Sequence, residues 1–282
     1  QDVVLGLYCV SMLKNNATSI KVELGDIHHY ANMDHLIMDL ESENVHAYDI
    51  ACVTYNDHKY LGTVGRLYLN HIVNGFTDEV FTNPLQIPGI KCENYCEMRY
   101  DGIWRSGGNV KTGNFRYFKI ADVCLDCYNE MQEHCIDIMQ KLTEGGFLYA
   151  DKFAISLSLE DMMLEPVDAQ GDDSSTMSDP KLIDLGNRSL DNICSEALTK
   201  ADELRVAIER DYFDGLVSED DKNDAIMALF YNGTGDSESE FCSGIHSDVQ
   251  KQILDKLRYT QRNNNLFIML DSGARGKADQ IM

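Results

Sequence analysis

Apolar residues recur at helical spacing along most of this chain. Ile120, Cys124, Cys127, Met131, Cys135, Ile138 and Leu142 follow one another three or four positions apart, the interval that lines one face of an α-helix. The spacing predicts a single helix ended by Gly145-Gly146. A second stripe, Leu190, Ile193, Ala197, Ala201, Leu204 and Ile208, predicts another helix, broken at Gly215. Ser218 with Asp221 three residues on forms a capping-box-like start for the next helix. Helix is predicted again over 221–230 and 248–257, on either side of the polar stretch 232–240. Two helices about a short turn make an αα-hairpin. At the start of the chain, Val3 to Met12 is apolar and helix-compatible, with Gly6 permitting close packing.

Strand signals are fewer. Alternating β-branched residues around Thr63–Val73 predict a strand leading into a helix. Residues 82–118, rich in glycine, asparagine and aromatic side chains, read as a β-hairpin excursion. Leu266–Leu270 is an apolar, strand-like run that ends in a turn of small residues. The acidic segment Glu165–Pro180 has no apolar period and reads as a mobile loop between two subdomains. The expected fold is α+β and mostly helical, a mixed domain with a β-hairpin excursion followed by a helical-hairpin domain. The segments divide as 1–25, 26–164, 165–262 and 263–282.

Composition narrows the function classes. No apolar run approaches the roughly 20 residues that cross a bilayer, and no basic leader precedes an apolar stretch, so no membrane role is expected. Nine scattered cysteines, an odd number, do not make a disulfide framework and point to a reducing, cytoplasmic compartment. With 47 acidic against 24 basic residues, the net charge is −23. Such a surface repels nucleic acid at long range. That argues against a free-standing nucleic-acid binder, but not against a subunit that meets nucleotides through a few placed side chains.

Three clusters carry candidate chemistry. Cys92, Cys96, Cys124 and Cys127 hold enough thiolates for zinc, yet Cys124 and Cys127 share the apolar helical face with Met131 and Cys135, where packing accounts for them. Zinc is therefore not expected. His28, His29, His35 and His46 are too irregular for a helical metal site and read as surface or loop residues. The third cluster is Asp271-Ser272-Gly273-Ala274-Arg275-Gly276. Its glycines flank an arginine in a tight turn, and such a guanidinium can meet a phosphate with a bidentate fork. On the local pattern alone, a surface turn with a solvated arginine is the better fit.

A resemblance favours the phosphate reading. The run from Asn265 to Met282 resembles the Asn-…-Met-Met-…-Ser-Gly-Ala-Arg-Gly-Ser-…-Gln-Ile segment of the β′ (largest) subunit of multi-subunit DNA-dependent RNA polymerases. Gln1-Asp2-Val3-Val4-Leu5-Gly6-Leu7-Tyr8 is similar to the run following that subunit's catalytic loop. Gly62-Thr63-Val64-Gly65-Arg66, Ala154–Met163 and Tyr212–Asp220 resemble three further segments, all in the family's order.

The resemblance implies a central section of β′ comprising a pore-like domain, a funnel-like helical hairpin and the loop before the bridge helix. This section would form the channel through which nucleotides enter. Residues 82–118 have no counterpart. The family's Mg2+-binding Asn-Ala-Asp-Phe-Asp-Gly-Asp loop is not found in the sequence, and Asp211-Tyr-Phe-Asp214-Gly215 is only a partial look-alike at a helix end. No catalytic residue is therefore assigned, and the Mg2+ ligands are expected on another chain. Arg275 is implied to contact the triphosphate of the incoming nucleotide, supported by Asn265, Met269, Ser272, Gly273 and Gly276, with Gln1 and Asp2 near the active centre. Lys277 stands where the family usually has serine. Arg66 is a pore-lining candidate or a structural salt bridge. Expected partners are other β and β′ polypeptides, ribonucleoside triphosphates, and DNA template and RNA held by the assembly. The divergent sequence and missing catalytic loop resemble the split polymerases of giant bacteriophages, which would place the chain in the host cytoplasm or the virion; a bacterial or plastid fragment is the alternative source. The rival expectation is an acidic helical interaction protein without polymerase activity.

Overall fold

The structure is a computed structural model. It describes residues 1–13, 26–76, 95–96, 98–107, 111–112, 115–162, 190–230, 244–245, 248–249, 252–253, 256–257 and 263–275. The described residues are mostly helical, with small sheets and no closed barrel. The chain divides into two compact units, one of Gln1–Ser158 with Asn263–Lys277, the other of Leu159–Arg262 with Ala278–Met282.

The first unit is organised around helix α1 (Asp2–Ser11), in which every residue from Leu5 to Ser11 is buried. A helix covered on all sides needs close neighbours, and glycine provides the approach. It crosses α5 (Cys135–Phe153) where a Cβ on Gly6 would overlap the Gly146 carbonyl oxygen and a Cβ on Gly146 would meet Val3. Gly145-Gly146 therefore does not end the helix, as the sequence led us to expect, but lies inside it as a packing face. The helix ends at Ala154, which takes a left-handed conformation (φ 44) and returns its N–H to the Ala150 carbonyl at 3.1 Å.

The predicted stripe from Ile120 to Leu142 belongs to two helices rather than one. α4 (Ile120–Glu130) stops at Met131, and α5 begins after a short turn. Val123, Cys127, Ile138 and Leu142 still enter one core, because spacing registers which face is buried and not whether the backbone is continuous.

A three-stranded sheet covers this core. β1 (His28–Tyr30) runs parallel to β2 (Ile50–Tyr55), which pairs antiparallel with β3 (His58–Thr63). The β2–β3 turn uses Asn56 and Asp57, both at positive φ (48 and 64), the conformation of a two-residue hairpin. Helix α2 (Met33–Glu41) is capped by the Asn32 side chain, which accepts from the His35 N–H. β3 passes directly into α3 (Val64–Ile72), capped by Thr63. The expected strand-to-helix passage is present, with the strand ending at Thr63 instead of starting there. His28, His29, His35 and His46 are all exposed, two of them on β1.

The described part of the 82–118 excursion contains β4 (Ile103–Arg105), β5 (Lys111–Thr112) and β6 (Phe115–Lys119). β5 and β6 form the antiparallel pair of a hairpin, but β4 joins β6 in parallel. The region is thus a three-stranded sheet and not a lone hairpin. Trp104 is fully buried, with Tyr100 edge-on to it at 5.9 Å.

In the second unit, α6 (Leu159–Met162) precedes a helical hairpin of α7 (Leu190–Phe213) and α8 (Glu219–Phe230). Gly215 (φ 72) ends α7. Its N–H reaches the Tyr212 carbonyl at 3.0 Å and the Leu216 N–H reaches that of Asp211 at 2.9 Å, a Schellman closure. Ser218 then caps α8 reciprocally. Its Oγ accepts from the Asp221 N–H at 3.1 Å, while Asp221 Oδ2 accepts from the Ser218 N–H at 3.3 Å. Of the predicted α7 stripe, Ile193 and Ala201 are buried, whereas Leu204 is exposed. Glu165–Pro180 and the 232–240 stretch lie outside the described residues.

Candidate functional site

The Leu266–Leu270 run is helical, not strand-like. α9 (Asn265–Asp271) starts at Asn264, whose Oδ1 accepts from the Leu266 and Phe267 N–H groups at 2.9 and 3.4 Å. Five consecutive apolar residues have no alternation that separates a short helix from a buried strand; the cap decides. Phe267 and Ile268 turn inward. The following turn is held from within by Ser272, whose hydroxyl donates to the Met269 carbonyl at 2.9 Å and accepts from the Ala274 N–H at 3.2 Å. Gly273 takes φ 66, and a Cβ there would press on Ser106. The Ser106 N–H in turn donates to the Ser272 carbonyl at 2.9 Å.

Two residues of α1 reach this turn. The Tyr8 hydroxyl donates to Asp271 Oδ2 at 2.9 Å, and Asp2 Oδ1 accepts from Arg275 Nη2 at 2.7 Å. Arg105 adds a cation at the base, with Nη1 3.4 Å from Asp271 Oδ1 and its guanidinium 4.2 Å from the Tyr117 ring centroid. The site is therefore layered. The Asp271 carboxylate is 3% exposed, whereas Arg275 and Asp2 are 55% and 50% exposed. Beneath them, Tyr8, Cys9, Ile103, Tyr117, Ile268 and Ala274 form one apolar cluster. Burial pushes the Cys9 thiol up to about 12, which leaves it protonated at neutral pH and unsuited to act as a nucleophile.

Of the residues singled out from sequence, Asn265, Met269, Ser272, Gly273 and Arg275 fall on this one helix and turn; Gly276 and Lys277 lie outside the described residues. Asn265 also ties in a distant segment, its Nδ2 donating to the Ser156 carbonyl at 2.8 Å. Asp2 meets Arg275 directly, and Gln1 is the N-cap residue of α1. Sequence reasoning missed Tyr8, Arg105, Ser106 and Asp271 as supports. Tyr8 and Asp271 were within the quoted segments, but nothing in their spacing links them.

Arg66 takes the salt-bridge place of its two expectations. It is 5% exposed, with Nη1 3.0 Å from Asp101 Oδ1 and Nε donating to the Ser11 carbonyl at 2.8 Å. A guanidinium enclosed in this way joins α1 to the excursion. Gly65 is required beside it, because a Cβ there would overlap the Val10 carbonyl oxygen.

Among the described residues, no group of three or more His, Cys, Asp and Glu is arranged to hold a metal ion. Cys96 and Cys127 are buried and Cys124 is partly so; Cys92 lies outside the described residues. Asp211 and Asp214 belong to the α7 terminus described above. No described helix is long and apolar enough to cross a membrane. What this site offers chemically is one accessible guanidinium on a rigid turn, a donor set that suits an oxyanion.

No protein-family profile matches the chain. It is 25% identical over 224 residues to DNA-directed RNA polymerase subunit beta′ of Chlamydia pneumoniae, an alignment covering 73% of this chain and 14% of that protein. The same subunit of Chlamydia caviae is 24% identical over 225 residues, again 73% and 14%. That of Chlamydia felis is 24% identical over 164 residues, 58% of this chain and 9% of the relative. These distant likenesses support the β′ family for the chain. The chain spans 14% or less of the length of these curated relatives.

Proposed function

We propose that this chain is a section of the β′ subunit of a multi-subunit RNA polymerase, acting in transcription. The chain contributes to the channel through which nucleotides enter, with the α7–α8 hairpin as its funnel-like part, and Arg275 engages the triphosphate of the incoming ribonucleotide. The observation that carries this reading is the turn at 272–275. A buried serine, a glycine at positive φ and a docked neighbouring loop hold one half-exposed arginine in place.

Charge builds on the β- and γ-phosphate oxygens as pyrophosphate leaves, and a guanidinium already in position stabilises it without reorganisation. The Mg2+ ions that activate the 3′-hydroxyl and bind the triphosphate would be held by carboxylates of another polypeptide. The partners in this reading are other β and β′ polypeptides, with DNA template and RNA held by the assembly, and the likeness to β′ supports it. The low identity fits a split polymerase of a giant bacteriophage.

The test is Arg275→Ala in the assembled enzyme. Loss of a charge-assisted contact of about 2–3 kcal/mol should lower nucleotide incorporation several tens-fold. Unchanged nucleotide KM and turnover would remove Arg275 from the substrate site. Affinity purification from the native source should recover large partners, one carrying an Asp-Phe-Asp-Gly-Asp loop. A lone monodisperse protein would instead favour an acidic helical interaction protein.

A further inference from the structure

We propose that Asp2 is a positioning residue for Arg275, holding the guanidinium where a nucleotide phosphate meets it. This rests on the reading of Arg275 as a phosphate contact. A single carboxylate oxygen, Oδ1, takes a single nitrogen, Nη2, at 2.7 Å. The contact is therefore monodentate, and the remaining N–H donors of the fork are not used by Asp2.

The platform under Asp2 is rigid. Asp2 lies in the first turn of α1, where the helix dipole attracts a negative side chain. The same helix is locked against α5 through Gly6 and Gly146, and it grips the base of the turn through Tyr8 and Asp271. Asp2 and Tyr8 are six positions apart, about 9 Å along the axis. One helix thus holds the turn at both ends, by a buried contact at Asp271 and an exposed one at Arg275.

The two contacts differ in strength. The outer pair is half exposed on both sides, so solvent and salt screen it. Such a pair restricts the rotamers of a long side chain while remaining weak enough for a multiply charged phosphate to share or displace. Without Asp2, Arg275 would have to be ordered by the substrate itself, which weakens binding more than it slows the subsequent chemistry.

The experiment is a double-variant cycle in the assembled polymerase, with ribonucleoside triphosphate as the varied substrate. Asp2→Ala should raise the nucleotide KM about two- to five-fold, with kcat changed less, and Asp2→Glu should restore part of the loss. In an Arg275→Ala background, Asp2→Ala should have no further effect. An equal effect in both backgrounds would overturn the proposal, because Asp2 would then act through something other than Arg275. A lowered KM for Asp2→Ala would overturn it too, by making Asp2 a competitor of the phosphate. Silence of Asp2→Ala beside a strong Arg275→Ala defect would remove the positioning role and leave the phosphate contact standing. Silence of Arg275→Ala would sink both.

Discussion

The Tyr8 hydroxyl lies 2.9 Å from Oδ2 of Asp271, joining positions 263 residues apart in sequence. The phenol belongs to the buried face of α1 and the carboxylate to the last residue of α9. Their bond fixes the base of the turn that presents Arg275. Because the carboxylate is almost fully enclosed and also faces Arg105, its acceptor sites must be filled from within the protein. Tyr8→Phe keeps the ring and removes the donor. We expect it to destabilise the chain by about 1.5–3 kcal/mol, read as a lower urea midpoint at unchanged m-value.

The α1–α5 crossing should be the most sterically demanding contact of the first unit. Gly146→Ala introduces a Cβ against Val3, both side chain and backbone. Alanine has the better helix propensity by about 1 kcal/mol, so a purely local account predicts stabilisation. Overpacking should reverse the sign, with a net loss of about 1–3 kcal/mol. Differential scanning calorimetry distinguishes the two by the direction of the Tm shift.

The Arg66–Asp101 pair should be costly to break and cheap to replace. Both side chains are nearly fully buried, at 6% and 3% exposure, so Arg66→Met strands a carboxylate and should cost about 3–5 kcal/mol. Combining Arg66→Met with Asp101→Leu removes both charges and should recover much of that loss. Chemical denaturation of the two single variants and the double variant measures the coupling.

Stability should fall as mildly acidic pH is reached, and His71 should be one cause. Burial holds its pKa below the ordinary histidine value, and Lys141 acts in the same direction, while Asp34 opposes them. The folded chain therefore resists protonation that the unfolded chain accepts, so His71's contribution is complete above the ordinary value of about 6.5 and is lost as pH falls from there through the lower folded-state value. Urea midpoints measured from pH 7.5 to 5.5 should decline in the parent and decline less in His71→Asn.

Much of the helical architecture was legible in the sequence, because burial on one face leaves a periodic trace. The α7 and α8 helices, the Gly215 stop and the Ser218–Asp221 cap follow from local chemistry and are present as expected. So does the close approach at Gly6. The errors share a different origin. The stripe from Ile120 to Leu142 concealed a break at Met131, and Leu266–Leu270 carried no period with which to tell helix from strand. Gly145-Gly146 reads as a terminator in the sequence, because sequence does not distinguish a glycine needed for backbone freedom from one needed for a neighbour's approach.

The site divides along the same line. The sequence by itself identified the glycine-flanked arginine and the ordered segments resembling β′, since these are properties of residues close together along the chain. Tertiary structure alone decided that Asp2 and Tyr8 of α1 grip both ends of that turn, that Ser106 supports it, and that Arg66 is spent on Asp101. Those pairings depend on which surfaces α1, α5 and β4 bury against one another, and contacts between distant residues leave no local pattern from which to read them.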